Sequence, residues 1–119
     1  MPKTDQGIDA DRYEITPRTL IFLFNSNGQV LLLRGAENKR LWAGLFNGIG
    51  GHIEAGEDIL ESALRELKEE TGIRDARLQF CGQIMIDIST EKGVGVFLFR
   101  GMYVGTSLQP SLEGHLHWI

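Results

Sequence analysis

Up to about residue 16 the chain is polar and unpatterned, and an arm over residues 1–17 is expected to be flexible or loosely docked. From Thr19 the character changes. The apolar run TLIFLFN, the turn-forming Asn25-Ser26-Asn27-Gly28 and the second apolar run QVLLLR predict two strands joined by a hairpin. A polar loop, GAENKRLWAGL, leads into the glycine-dense FNGIGGHIEAGE, which reads as a short strand and a tight turn. A helical period then spans about Asp58 to Thr71, with Gly72 placed as a left-handed stop. Two more strand-like runs follow, near LQFCGQIMIDIS and VGVFLFRGMYV, and the sequence closes on EGHLHWI. The order β-β-β-α-β-β-β predicts a mixed sheet with a helix on one face, an α+β or α/β sandwich.

The helix carries an anomaly. At about 100° per residue, with Glu66 set to zero, Ile59, Leu60, Ala63, Leu64 and Leu67 fall between about 20° and 160°, an apolar stripe facing a core. Lys68 and Glu61 fall on the opposite, wet side. Glu69, Glu66 and Glu70 fall near about −60°, 0° and 40°, so Glu70 lies inside one edge of the apolar stripe. A solvated acidic face is the common role of such residues, but the solvated face here is elsewhere. Like charges at this spacing repel, and desolvating them needs protons or cations in compensation. Three converging carboxylates suit a hard divalent cation such as Mg²⁺ or Mn²⁺. Arg65 lies one turn from both Glu61 and Glu69; it serves either as a helix ion pair or to orient a metal-binding carboxylate. Gly48, Gly50, Gly51 and Gly56 make either an ordinary tight turn or a bare backbone open to a carbonyl ligand and a phosphate.

Bulk properties narrow the field. One domain suits 119 residues, and 42% hydrophobic with 24% charged residues is a globular composition. No apolar run reaches the roughly 20 residues of a membrane span, and the amino-terminal stretch has no apolar signal core. The net charge is −4 without a basic stripe, which argues against a nucleic-acid polymer as ligand. Cys81, the single cysteine, excludes an internal disulfide, fits a cytoplasmic location, and reads more simply as a small buried hydrophobe than as a reactive thiol.

Residues 51–73 fit G-x5-E-x7-R-E-U-x-E-E-x-G-U, with U a bulky aliphatic, at Gly51, Glu57, Arg65, Glu66, Leu67, Glu69, Glu70, Gly72 and Ile73. This resembles the Nudix box at each of its fixed positions. The flanking strands and Trp118 extend the resemblance over roughly 18–119. The resemblance implies an α/β/α sandwich with the box as loop–helix–loop. It also implies hydrolysis of a nucleoside diphosphate linked to a group X, giving a nucleoside monophosphate and phosphorylated X. Carried over by position, Glu66, Glu69, Glu70 and the Gly50 carbonyl would bind Mg²⁺ or Mn²⁺. Glu57 would assist the metal site or its water network, and Arg65 would hold a carboxylate in place. Glu113 resembles the loop glutamate of MutT-type members, either a general base, an extra metal ligand or a solvated acid. His52, His115 and His117 read most simply as surface or strand-edge residues.

Substrate choice lies outside the box. Phe46-Asn47-Gly48-Ile49-Gly50-Gly51 resembles the WNGxGG stretch of 8-oxo-purine nucleoside triphosphatases, with Phe for Trp, so Asn47 is expected on a purine edge. Phe46 and Trp42 could stack on a base or pack in a loop, and Arg34 could contact phosphate or merely end a strand. No proline stands between Ile73 and Pro110, so the proline-bearing signatures of the NADH and ADP-ribose members are missing, as is the coenzyme A signature. The family continues past the strand of Trp118 into a C-terminal helix, whereas this sequence stops at Ile119; the pocket would then be completed by further chain or by another subunit. The expected activity is cleavage of (oxidised purine) nucleoside triphosphates. ADP-ribose or nucleotide-sugar cleavage and a non-catalytic nucleotide sensor are the alternatives, and a homodimer, common in the family, is left open.

Overall fold

A computed structural model describes residues 12–35, 46–105 and 114–119. The strands are β1 (Glu14–Phe24), β2 (Leu31–Gly35), β3 (Phe46–Asn47), β4 (Ile49–His52), β5 (Gln79–Asp87), β6 (Lys92–Met102) and β7 (Gly114–Trp118), with one helix, α1 (Ile59–Thr71), between β4 and β5. They form a four-stranded mixed sheet, β4-β1-β6-β5, and a three-stranded antiparallel sheet, β3-β2-β7. In the first sheet β1 runs parallel to β6, and the other two pairings are antiparallel. This is the expected mixed α+β architecture. Among the described residues there is a single helix, and it is too short and polar to cross a membrane.

The helix ends where capping chemistry places them. The Asp58 carboxylate accepts the Glu61 N–H at 2.8 Å, and Gly72, at φ 81°, donates its N–H to the Lys68 carbonyl at 2.8 Å. The buried arc is rotated relative to the expected stripe. Ser62, Ala63, Leu67 and Thr71 are buried, while Leu60 is 43% exposed. Thr71 joins the apolar side because its hydroxyl donates back to the Leu67 carbonyl at 2.6 Å and so needs no water. The rotation carries Glu66 towards the core side of the helix.

Three further features depart from the sequence reading. The Asn25–Gly28 turn forms, with the Asn25 side-chain oxygen accepting the Asn27 and Gln29 N–H groups at 3.0 Å each, yet the strands pair only at Phe24–Val30 before β1 and β2 enter different sheets. The glycine-dense stretch is two strands, β3 and β4, each in its own sheet, divided at Gly48, where a Cβ would overlap the Leu20 side chain. And β1 begins at Glu14, inside the expected arm: Glu14 to Pro17 pair with Lys92 to Gly95, and the Tyr13 hydroxyl donates to Asp87 at 2.5 Å. Pro17 sits just beyond the part of β1 paired with β4, Arg18 to Ile21.

The core is Ile21, Leu23, Leu31, Leu33, Ile49, Ala63, Leu67, Ile73 and Phe99, which joins both sheets to the helix. Leu67 has no exposed surface. Leu67→Ala should therefore cost about 2–5 kcal/mol, lowering the thermal midpoint by at least about 6 °C in a calorimetric scan. An unchanged midpoint would refute the helix register. Cys81 departs from expectation: it is exposed, at the bulge between Phe80 and Gly82 on the edge strand β5.

Candidate metal centre

The site forms where α1 lies against β4. Gly50 and Gly51 provide a bare wall: at Gly50 the backbone leaves no room for a side chain, and at Gly51 a side chain would displace the Glu66 carboxylate. A Cβ on Gly51 would come within 2.6 Å of the Glu66 carboxylate carbon, and one on Gly50 would overlap the Thr19 carbonyl oxygen. The helix can thus press its carboxylates onto bare backbone. Glu70 takes direct advantage, accepting the Gly50 N–H at 3.0 Å.

Arg65 is the hub. Its Nε and Nη2 donate to the two oxygens of Glu57 at 2.6 and 3.0 Å, a bidentate pair. Nη1 donates to Glu66 at 2.9 Å and to Glu69 at 3.2 Å, and Nη2 also donates to the His52 carbonyl at 3.0 Å. Glu57 further accepts the Glu54 N–H at 2.8 Å. Helical spacing pointed to Glu61 and Glu69 as partners of Arg65. The dominant partner, Glu57, lies in the loop before the helix, where periodicity says nothing about reach; the position of Glu57 in the box was the available signal.

Charge states follow from these contacts. The Arg65 guanidinium, helped by the Glu54 N–H, holds the Glu57 carboxyl well down, at about 2. The guanidinium of Arg65 is in turn held more firmly protonated, chiefly by Glu57. Glu66 moves the other way: burial pushes its carboxyl up, against the opposing pull of Arg65. In metal-free protein, a carboxyl ¹³C titration should give Glu57 a midpoint near 2 and Glu66 one above the ordinary 4.5. The signs differ accordingly. Glu57 adds stability above pH 4.5 that is lost as pH falls towards 2, whereas Glu66 subtracts stability as pH rises from 4.5 through its raised midpoint. Reversal of that order would refute the arrangement.

The expected convergence of Glu66, Glu69 and Glu70 is only partly present. Among the described residues no three acidic, histidine or cysteine side chains are gathered closely enough to hold an ion. Arg65 stands among the acids as their counter-charge, and Glu70 is occupied by Gly50. The donors still suit a hard divalent cation in kind: all are carboxylate or carbonyl oxygens, and Glu66 and Glu69 lie close enough together to accept from one nitrogen, Arg65 Nη1. Glu69 is 57% exposed and faces solvent from which an ion can arrive.

Other expected site residues are placed by backbone alone or lie elsewhere. Arg34 pairs with Phe46 and Leu33 with Asn47 across β2–β3. The side chains of Arg34, Phe46 and Asn47, like Trp42 and Glu113 altogether, lie outside the described residues. His115 and His117 lie on β7 and are exposed; His52 contributes its carbonyl to the site.

The capped helix, the arginine gathering acids and the bare Gly50–Gly51 wall fall at the positions of the box motif over residues 51–73 and just before it. The NUDIX domain family profile matches residues 14–117, and the chain belongs to that family. It is 43% identical over 70 residues to an uncharacterized Nudix hydrolase of Pseudomonas aeruginosa, covering 58% of this chain and 41% of that protein. It is 38% identical over 74 residues to the oxidized purine nucleoside triphosphate hydrolase of Danio rerio, covering 61% of this chain and 46% of that protein. Among solved structures, the MutT protein from Methanosarcina mazei Go1 superposes with a TM-score of 0.74 at 31% identity, over 93% of this chain and 80% of that one. The chain thus spans less than half the length of these two curated relatives.

Proposed function

We propose that the protein is a Mg²⁺- or Mn²⁺-dependent pyrophosphohydrolase that cleaves nucleoside diphosphates linked to X, with (oxidised) purine nucleoside triphosphates as substrate. The observation that carries the reading is the Arg65 hub: one guanidinium gathers Glu57, Glu66 and Glu69 beside the Gly50–Gly51 backbone. A divalent cation bound by Glu66, Glu69, Glu70 and the Gly50 carbonyl would neutralise diphosphate oxygens and acidify a water. The chain's own residues divide the remaining work. Glu57, held near 2 with both oxygens engaged, is too weak a base and acts as a positioning residue that fixes Arg65. Arg65 holds Glu66 and Glu69 close together, and the glycines keep the wall low enough for a phosphate to approach. The base then falls to Glu66, Glu69, Glu70 or Glu113.

The purine assignment is supported by the likeness to the Danio rerio enzyme and by Asn47 in the FNGIGG stretch. Arg34 on phosphate and Phe46 on the base ring belong to the same proposal, as do a hydrolase domain that includes β1 from Glu14 onward, a cytoplasmic setting and a homodimer. The test is turnover of a nucleotide panel, including 8-oxo-dGTP, dGTP and ADP-ribose, with and without Mg²⁺. Release of nucleoside monophosphate with pyrophosphate from the oxidised purine triphosphate is the expected result. Release of phosphate-free nucleoside would refute the bond assignment, and turnover indifferent to Mg²⁺ would refute the metal requirement.

A further inference from the structure

The far end of the four-stranded sheet holds none of the box residues. There Phe24, Asp75, Arg77, Gln79, Arg100 and Met102 surround a cleft of about 640 Å³, a size typical of small-molecule sites. Leu20 is paired with Gly50 at the metal centre, and Phe24 lies four residues further along β1, roughly 13 Å away. The two places are distinct.

The walls of the cleft are fixed by contact. Gly101 lets the segment before β5 press onto β6, since a Cβ there would meet the Arg77 carbonyl oxygen at 2.8 Å and Leu78 at 3.0 Å. Arg100 is paired across the ladder with Gln79, and its Nε and Nη2 donate to the Gln79 amide oxygen at 3.3 and 3.2 Å. That partner is neutral and leaves the rest of the fork available. Among the described residues neither Arg77 nor Arg100 has a carboxylate within ion-pair distance, although Asp75 lines the same cleft. Two guanidiniums thus share a cleft without a paired anion in a chain of net charge −4. Beside them stand an aromatic ring, Phe24, and Met102, a large apolar side chain left 60% exposed. Guanidinium forks match phosphate, and an aromatic–thioether wall matches a flat ring.

We propose that this cleft is a second binding site, for a phosphorylated ligand of the nucleoside monophosphate class, with the phosphate on Arg77 and Arg100 and the ring against Phe24 and Met102. The proposal goes beyond the hydrolase reading and does not depend on it. The test is a titration of the whole chain with AMP, inorganic phosphate and adenosine in EDTA, followed by amide NMR, so that no divalent ion loads the carboxylate site. AMP should shift the amides of 75–79 and 100–102 saturably, phosphate should bind the same place more weakly, and adenosine should not compete. Arg77→Gln and Arg100→Gln, both at exposed positions, should each raise the AMP dissociation constant at least about tenfold while leaving Mg²⁺-dependent turnover unchanged. No saturable shift, shifts confined to Gly50–Glu70, equal affinity for AMP and phosphate, or variants binding like the parent would each overturn it. Failure of hydrolysis in the nucleotide panel would leave these binding results untouched.

Discussion

Glu69→Gln should cut Mg²⁺-dependent turnover at least about 100-fold and leave the fold intact. Removing groups that merely support a metal ligand already costs about 10- to 100-fold, and removing the ligand itself should reach the upper end or exceed it. The structural cost is small because Glu69 is 57% exposed and is held by a 3.2 Å contact from Arg65, an exposed pair of the kind that contributes about 1 kcal/mol or less. Glutamine keeps the shape and removes the anion. Glu70→Gln should lose activity to a similar extent, and the amide oxygen can still accept the Gly50 N–H, so that contact survives. Turnover assays paired with thermal melts check both. Full activity in both variants would overturn the metal assignment, whereas lost activity with a collapsed melt would point to structure instead.

How much of this was legible beforehand depended on the range of the interaction. The helix ends are legible almost to the residue because Asp58 and Gly72 act within one turn of themselves. The box identified Glu57, Arg65 and Glu66 as a set, and the structure brings them into contact. Sheet membership was not legible. The Asn25–Gly28 turn is a local fact, but sending β1 and β2 into different sheets is decided by what covers each strand. Gly48 reads the same whether it bends one strand or divides two. Pro17 and the charged residues around it hid the start of β1, whose pairing with β6 involves residues more than seventy positions away. Leu60 shows the limit of a helical wheel: it lists apolar residues without knowing where the neighbouring strand ends, and the buried arc instead takes in Ser62 and Thr71.

Replacing Arg65 should have two separable effects. Its five donor contacts go to Glu57 twice, Glu66, Glu69 and the His52 carbonyl, with only 27% of the side chain exposed. Arg65→Gln leaves the acids facing one another without a counter-charge, so metal-free protein should lose about 1–3 kcal/mol. Mg²⁺ should restore part of that loss, because an ion bound by Glu66 and Glu69 replaces the missing charge. Turnover at saturating Mg²⁺ should still fall about 10- to 100-fold, since Glu57 no longer fixes the geometry. The Glu57 midpoint should climb from about 2 towards 4.5, and the stability that the parent loses between those pH values should disappear from the profile. Arg65→Lys should resemble the glutamine variant, because an ammonium cannot form the bidentate pair with Glu57 and reach two further carboxylates from one plane. Full activity in the lysine variant, with Glu57 still titrating near 2, would mean that charge alone suffices at this position and that the planar fork plays no part.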